Sequence, residues 1–149
     1  MTATYQKHGL QFLYPENWRL SDEGWPELPC SISLESPDGS AFWSVHFYEL
    51  ASDPDEILKN TLDTLRETYP DLEISDCPAD STIPRESGVE AMFYCLDFLI
   101  RIRLEVVRLD RCLALFWYQA EDRQFEQLEM VFQAIGISLI RHTTLENDV

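Results

Sequence analysis

Apolar and polar positions along this chain follow a period of two for most of its length, and a period of 3.6 interrupts it twice. Leu10 to Tyr14 is a short apolar run closed by Pro15, and the chain restarts at Trp18 to Leu20. Both segments predict strands. Ser21 to Pro29 reads as an acidic loop. Cys30 to Ser36 then alternates, with Cys30, Ile32 and Leu34 on one face and Ser31, Ser33 and Glu35 on the other. Pro37-Asp38-Gly39-Ser40 has turn composition and leads into a further strand, Ala41 to Glu49. A hairpin is expected there.

The first helix is announced by Asp53-Pro54-Asp55-Glu56. Asp53 suits an N-cap, Pro54 suits the first helical position, and Glu56 stands where a capping box closes. Leu58, Leu62, Leu65 and Tyr69 follow at helical spacing, and Pro70 stops the helix. Asp71 to Gly88 is irregular, with a short strand over Leu72 to Ser75.

Three strands in succession are then expected: Val89 to Asp97, Leu99 to Leu109 and Cys112 to Ala120, the last two joined tightly at Asp110-Arg111. The first and third are apolar on both faces, the texture of a strand covered on both sides. The middle one puts Ile100, Ile102, Leu104 and Val106 inward and Arg101, Arg103 and Glu105 on the opposite face. That second face is expected to be open to water. A final helix is expected over Asp122 to Ala134, with Phe125, Leu128, Val131, Phe132 and Ile135 as its stripe. Gly136 would end it, Ile137 to Ile140 would add a short strand, and residues 142–149 would fray.

Two helices flanking antiparallel strands imply an α+β fold: a curved antiparallel sheet of about six strands with helices packed on both faces. A length of 149 residues fits one domain spanning 1–149.

Charge narrows the partners. The formal net charge is -16, from 27 acidic residues against 11 Lys and Arg. A nucleic-acid binder needs a basic footprint, and an anionic membrane surface would repel this chain. No nucleic acid and no membrane are therefore expected as partners. A basic protein partner is electrostatically allowed, while solubility alone also accounts for the charge. The expected state is a monomer or weak dimer. The four cysteines, Cys30, Cys77, Cys95 and Cys112, form no C-x-x-C pair, and three of them lie in apolar runs as small buried hydrophobes. Neither an opening signal segment nor a run of about 18 apolar residues is present. A reducing cytoplasm is the expected compartment, unless a longer precursor carries a signal.

The opening Gly9-Leu10-Gln11-Phe12-Leu13-Tyr14-Pro15-Glu16-Asn17-Trp18 resembles the start of PsbP-like domains. That group includes the photosystem II extrinsic protein and the Mog-type Ran-binding nuclear-import factor. Phe116-Trp117-Tyr118 and the segment Phe125 to Ile135 are similar to the group's final strand and helix. The resemblance implies the fold, and a non-catalytic binding role of the kind most members play. It carries no catalytic motif, so no functional residue is transferred, and fold alone does not fix function.

Candidate chemistry is sparse. His8, His46 and His142 have no metal-ligand spacing, no G-x-S-x-G elbow is present, and the five glycines form no phosphate cradle. No catalytic residue, metal or cofactor is expected, and the chain is read as a non-enzyme. Two surfaces stand out as partner-binding sites. Arg101 and Arg103, with Glu105, point one way from a strand and could grip an anion; cross-strand ion pairs are the plainer account. Trp25, amid the acids of its loop, is either a protein-binding anchor or a plug for the end of the sheet.

These features give a non-enzymatic protein-binding or adaptor module as the first reading. An acidic secretion-type chaperone is the second, although such chaperones usually begin with a helix. A small-ligand carrier or enzyme, using a pocket near Arg101, Arg103 and His46, is the third.

Overall fold

The computed structural model describes the backbone of residues 1–23, 28, 30–78 and 83–147, and the side chains of all of these but 23 and 143–147. Two strands, β1 (Thr2–Lys7) and β2 (Leu10–Pro15), form an antiparallel hairpin of their own. Its turn places His8 at φ 57° and Gly9 at φ 77°, the positive φ at both turn residues that a type I′ two-residue hairpin requires. β1 was not expected from the sequence. Only Tyr5 of its six residues is buried, so the strand has almost no apolar signature.

Among the described residues the main sheet has seven strands, where about six were expected. These are β3 (Arg19–Glu23), β4 (Cys30–Glu35), β5 (Phe42–Glu49), β6 (Glu73–Asp76), β7 (Ser87–Cys95), β8 (Phe98–Arg108) and β9 (Cys112–Glu121), in the spatial order β3-β4-β5-β9-β8-β7-β6. All neighbours are antiparallel. The expected meander of β7, β8 and β9 is present. β9 closes the sheet by pairing with β5, from Phe42 opposite Gln119 to Glu49 opposite Cys112.

Helix α1 (Pro54–Thr68) begins as the sequence predicts, with Pro54 in its first turn and the Asp53 carboxylate accepting the Asp55 N–H at 3.0 Å. It packs on β7 and β8. Ile57, Leu58 and Leu65 meet Ala91, Phe93, Ile102, Leu104 and Val106, the inward residues of those strands. Tyr69, just past the helix, stacks on Phe93 with ring centroids 3.7 Å apart.

Helix α2 (Asp122–Asn147) covers the other face, together with the β1–β2 hairpin. Its end corrects the sequence reading. Gly136 does not stop the helix, and Ile137 to Ile140 are helical rather than a strand. Phe125, Phe132, Ile135 and Leu139 are all buried, so one apolar stripe continues through the glycine. Gly136 instead lets the helix approach the sheet closely. A Cβ there would lie 3.3 Å from Ile83 Cδ1 and 3.7 Å from the Tyr118 hydroxyl. No described helix is long and apolar enough to cross a membrane.

Candidate functional site

Successive residues of a strand point to opposite faces, so the parity of β8 decides what its charges meet. Ile102, Leu104 and Val106 face α1, whereas Arg101, Arg103 and Glu105 face α2. The expectation that this charged face is open to water is overturned. Arg103 is 1% exposed and Glu105 0%, because α2 lies across them. Arg101 keeps 18% of its side chain exposed.

The charges find partners inside the chain. Arg101 holds the Glu90 carboxylate of β7 at 2.9 Å, and Arg103 shares it at 3.1 Å. Arg103 also reaches Glu129 of α2 at 3.0 Å, and Arg85 reaches Glu105 at 2.9 Å. The Arg101 guanidinium stands 4.5 Å from the centre of the Phe125 ring, a cation–π contact. Burial alone would raise the Glu90 carboxyl, but the hydrogen bonds from Arg101 and the charge of Arg103 outweigh it and hold it below its ordinary value. Burial would likewise lower the Arg103 guanidinium, and Glu90 and Glu129 outweigh that. Both groups therefore stay charged. Nearby thiol and phenol groups stay protonated. Burial, reinforced by Glu105, pushes Cys77 up to about 12. The same two causes raise Tyr118 well above its usual range. The cluster is an internal clamp, and its geometry favours the ion-pair account of these arginines. Arg85, Glu90 and Glu129 were missed from the sequence. The one available signal was Glu90, an acid isolated in the apolar run Val89 to Cys95.

His46 lies elsewhere. It shares the α1 side of the sheet with Leu115 and Val106, through the pairs His46–Leu115 and Val106–Leu115. Arg101 and Arg103 point to the other side, so the pocket expected among Arg101, Arg103 and His46 is not formed. The sheet itself separates them. Trp25 lies outside the described residues.

The geometry of the His46 side has more to offer. α1 covers β7 and β8, and among the described residues no helix packs across β5, β4 and β3 on that face. Three parts make up the uncovered shelf. Beside α1, Tyr48, the N-cap Asp53 and the helix residues Glu56, Asn60 and Thr64 line a cleft of about 380 Å³. In the middle, Ser44 Oγ and His46 Nε2 share a hydrogen bond at 3.1 Å, and the Trp117 indole N–H donates to Gln119 at 3.0 Å. At the far edge, Arg19, Ser21, Ser33, Glu35 and Phe42 border a depression of about 490 Å³.

Half-buried aromatic rings, hydroxyls, an amide and an imidazole suit recognition by stacking and hydrogen bonding. Burial lowers the His46 pKa, so the ring is neutral near pH 7. A Ser–His contact is also the first pair of a nucleophilic dyad. Here Ser44 is buried at 4% exposure, and its hydroxyl is not presented to a substrate. Among the described residues, no group of three or more His, Cys, Asp or Glu could hold a metal ion. All four cysteines are free thiols, and Cys95 is exposed rather than buried as expected.

No protein-family model matches this chain. No curated protein matches it in sequence either. Solved structures do. The solution structure of cyanobacterial PsbP (CyanoP) from Synechocystis sp. PCC 6803 superposes with a TM-score of 0.59 at 14% identity, covering 93% of this chain and 89% of that one. LpqN, involved in cell envelope biogenesis of Mycobacterium tuberculosis, gives a TM-score of 0.42 at 13% identity, over 91% and 87% of the two chains. The element order, the antiparallel sheet with a helix on each face and the CyanoP superposition together give this chain a PsbP-like α+β fold.

Proposed function

We propose that this chain is a non-catalytic binding module that holds a protein partner on the uncovered half of its sheet, between α1 and β3. One observation carries the reading. The strands β4 and β5 carry an apolar layer on their α2 side, yet Phe42, His46 and Tyr48 of β5, with Trp117 of the adjoining β9, stand half-buried on the other. Rings partly open to solvent on a rigid sheet are the common anchors of interfaces. A net charge of -16 favours a partner with a basic surface. The opening residues resemble PsbP-like domains, a group most of whose members are non-catalytic binding proteins, and that resemblance supports the same class of role.

The test is affinity capture from the native host with the wild-type chain, Trp117→Ser, Ser33→Arg and the control Lys7→Ser on β1. The reading expects a partner lost with both shelf variants and kept by the control. Ser33→Arg places a bulky charge on the shelf without emptying the core, so it tests the site even if Trp117→Ser unfolds. A partner kept by a folded Ser33→Arg variant would place the site elsewhere.

A further inference from the structure

The tip of the β7–β8 hairpin is unlike the rest of the surface. Tyr94 is 72% exposed, Leu96 89% and Phe98 60%, and they fall within five consecutive residues. Single exposed apolar residues are ordinary, but three at the end of one hairpin, with Tyr94 on the α2 face of the tip and Phe98 on the α1 face, are not. Cys95 pairs with Phe98, so the turn consists of Leu96 and Asp97 alone. Leu96 holds φ +58° there, a conformation that a bulky side chain adopts only at a cost. Asn or Gly would relieve that strain and would also remove the most exposed apolar group in the turn. Solubility and stability both disfavour leucine at this position. Such strain is characteristic of sites that serve something other than the fold.

The surroundings indicate the chemistry of the occupant. Asp97 is in the turn itself, and Glu121 pairs opposite Ile100, two residues beyond Phe98. Asp122 and the exposed Glu126 open α2 at the same end of the sheet. The nearby Arg101 is already engaged by Glu90, with Asp122 3.9 Å away. Against these four carboxylates the same end of α2 carries the exposed Arg123, so the tip is an apolar wedge with a collar that is acidic in sum. An anionic bilayer repels such a collar, and so does a second copy of a chain carrying -16.

We propose that the β7–β8 tip is a docking wedge, which inserts Tyr94, Leu96 and Phe98 into an apolar cleft of a protein partner bordered by Lys or Arg. This site is separate from the uncovered sheet face and does not depend on it.

The probe is a synthetic 18-residue amphipathic helix with leucines along one face and lysines flanking them. A second peptide of equal charge has serine in place of the leucines. Binding is followed by backbone amide shifts in the labelled chain. The proposal expects shifts centred on residues 94–98 with the leucine peptide. It expects at least tenfold weaker binding by Leu96→Ser with Phe98→Ser, and affinity of the serine peptide at that reduced level. Leu96→Asn gives the sharpest test, because it relieves the backbone. It should raise Tm and weaken binding at once. Equal affinity for the two peptides would overturn the proposal. So would a Leu96→Asn variant that binds as tightly as the wild type, tip shifts induced by phosphatidylcholine vesicles instead of the peptide, or a dimer that Leu96→Asn dissolves.

Discussion

The buried Arg103 of β8 meets the half-buried Glu129 of α2 at 3.0 Å, and this contact ties the long helix to the centre of the sheet. Arg103 also holds Glu90, which Arg101 shares. Removing one member of a buried ionic cluster leaves another charge poorly matched in a poor solvent for it. Arg103→Met should therefore destabilise the fold by about 3 kcal/mol or more, whereas Glu129→Gln, nearer the surface, should cost about 1 kcal/mol. Urea unfolding of both variants checks the ranking.

Phe132 is fully buried and stacks on Tyr118 with ring centroids 5.5 Å apart. Phe132→Ala should cost about 3–5 kcal/mol, the usual range for emptying an aromatic core site. Leu62 lies on the α1 stripe but is only partly buried, and Leu62→Ala should cost about 1 kcal/mol. Equal losses would show that the two faces of the sheet are filled alike.

At Gly136, alanine gains helix propensity but brings its Cβ to 3.3 Å from the Ile83 methyl. The two effects oppose each other, each on the order of 1 kcal/mol, so Gly136→Ala should be nearly neutral. Gly136→Val adds bulk against Ile83 and Tyr118 and should lose about 1–3 kcal/mol. Thermal unfolding of the pair separates close packing from a helix-ending role, in which both variants would be destabilised.

Acid should weaken the fold in two steps. Burial places the His46 pKa below its ordinary 6.5, so the unfolded chain takes up that proton first as pH falls. The stability tied to His46 is complete above about 6.5 and is lost as pH drops through the lower folded value. Glu90, also lowered, loses its contribution in the carboxylate range further down. Unfolding free energies from about pH 8 to about pH 2 should flatten in their upper part in His46→Gln and keep the lower step.

Thiol labelling should be uneven. Cys95 is exposed, Cys30 is buried, and burial raises Cys77 to about 12 and Cys112 to about 11. The thiolate is the reactive form. One thiol should react rapidly with a disulfide reagent in the native chain, and Cys95→Ser should abolish that phase.

The sequence by itself determined the local elements. Asp53-Pro54 set the start of α1, since capping and the fixed φ of proline act within a few residues. The alternation of Cys30 to Glu35 set which side of β4 is buried, because period two is a property of the strand alone. The parity of β8 was equally plain, with Ile102 and Leu104 on one side and Arg101 and Arg103 on the other. Tertiary structure decided what each face meets. Whether Arg103 is solvated or paired depends on α2, which arrives from some twenty residues further along the chain and lies across it. Whether Gly136 ends a helix or admits a close approach depends on Ile83 and Tyr118, which are distant in sequence. His46 and Arg103 look equally available along the chain, yet the sheet stands between them. The strand order that puts β9 between β5 and β8 leaves β3 to β5 with a half-open face. Such an arrangement is set by the packing of many side chains at once, and no single segment encodes it.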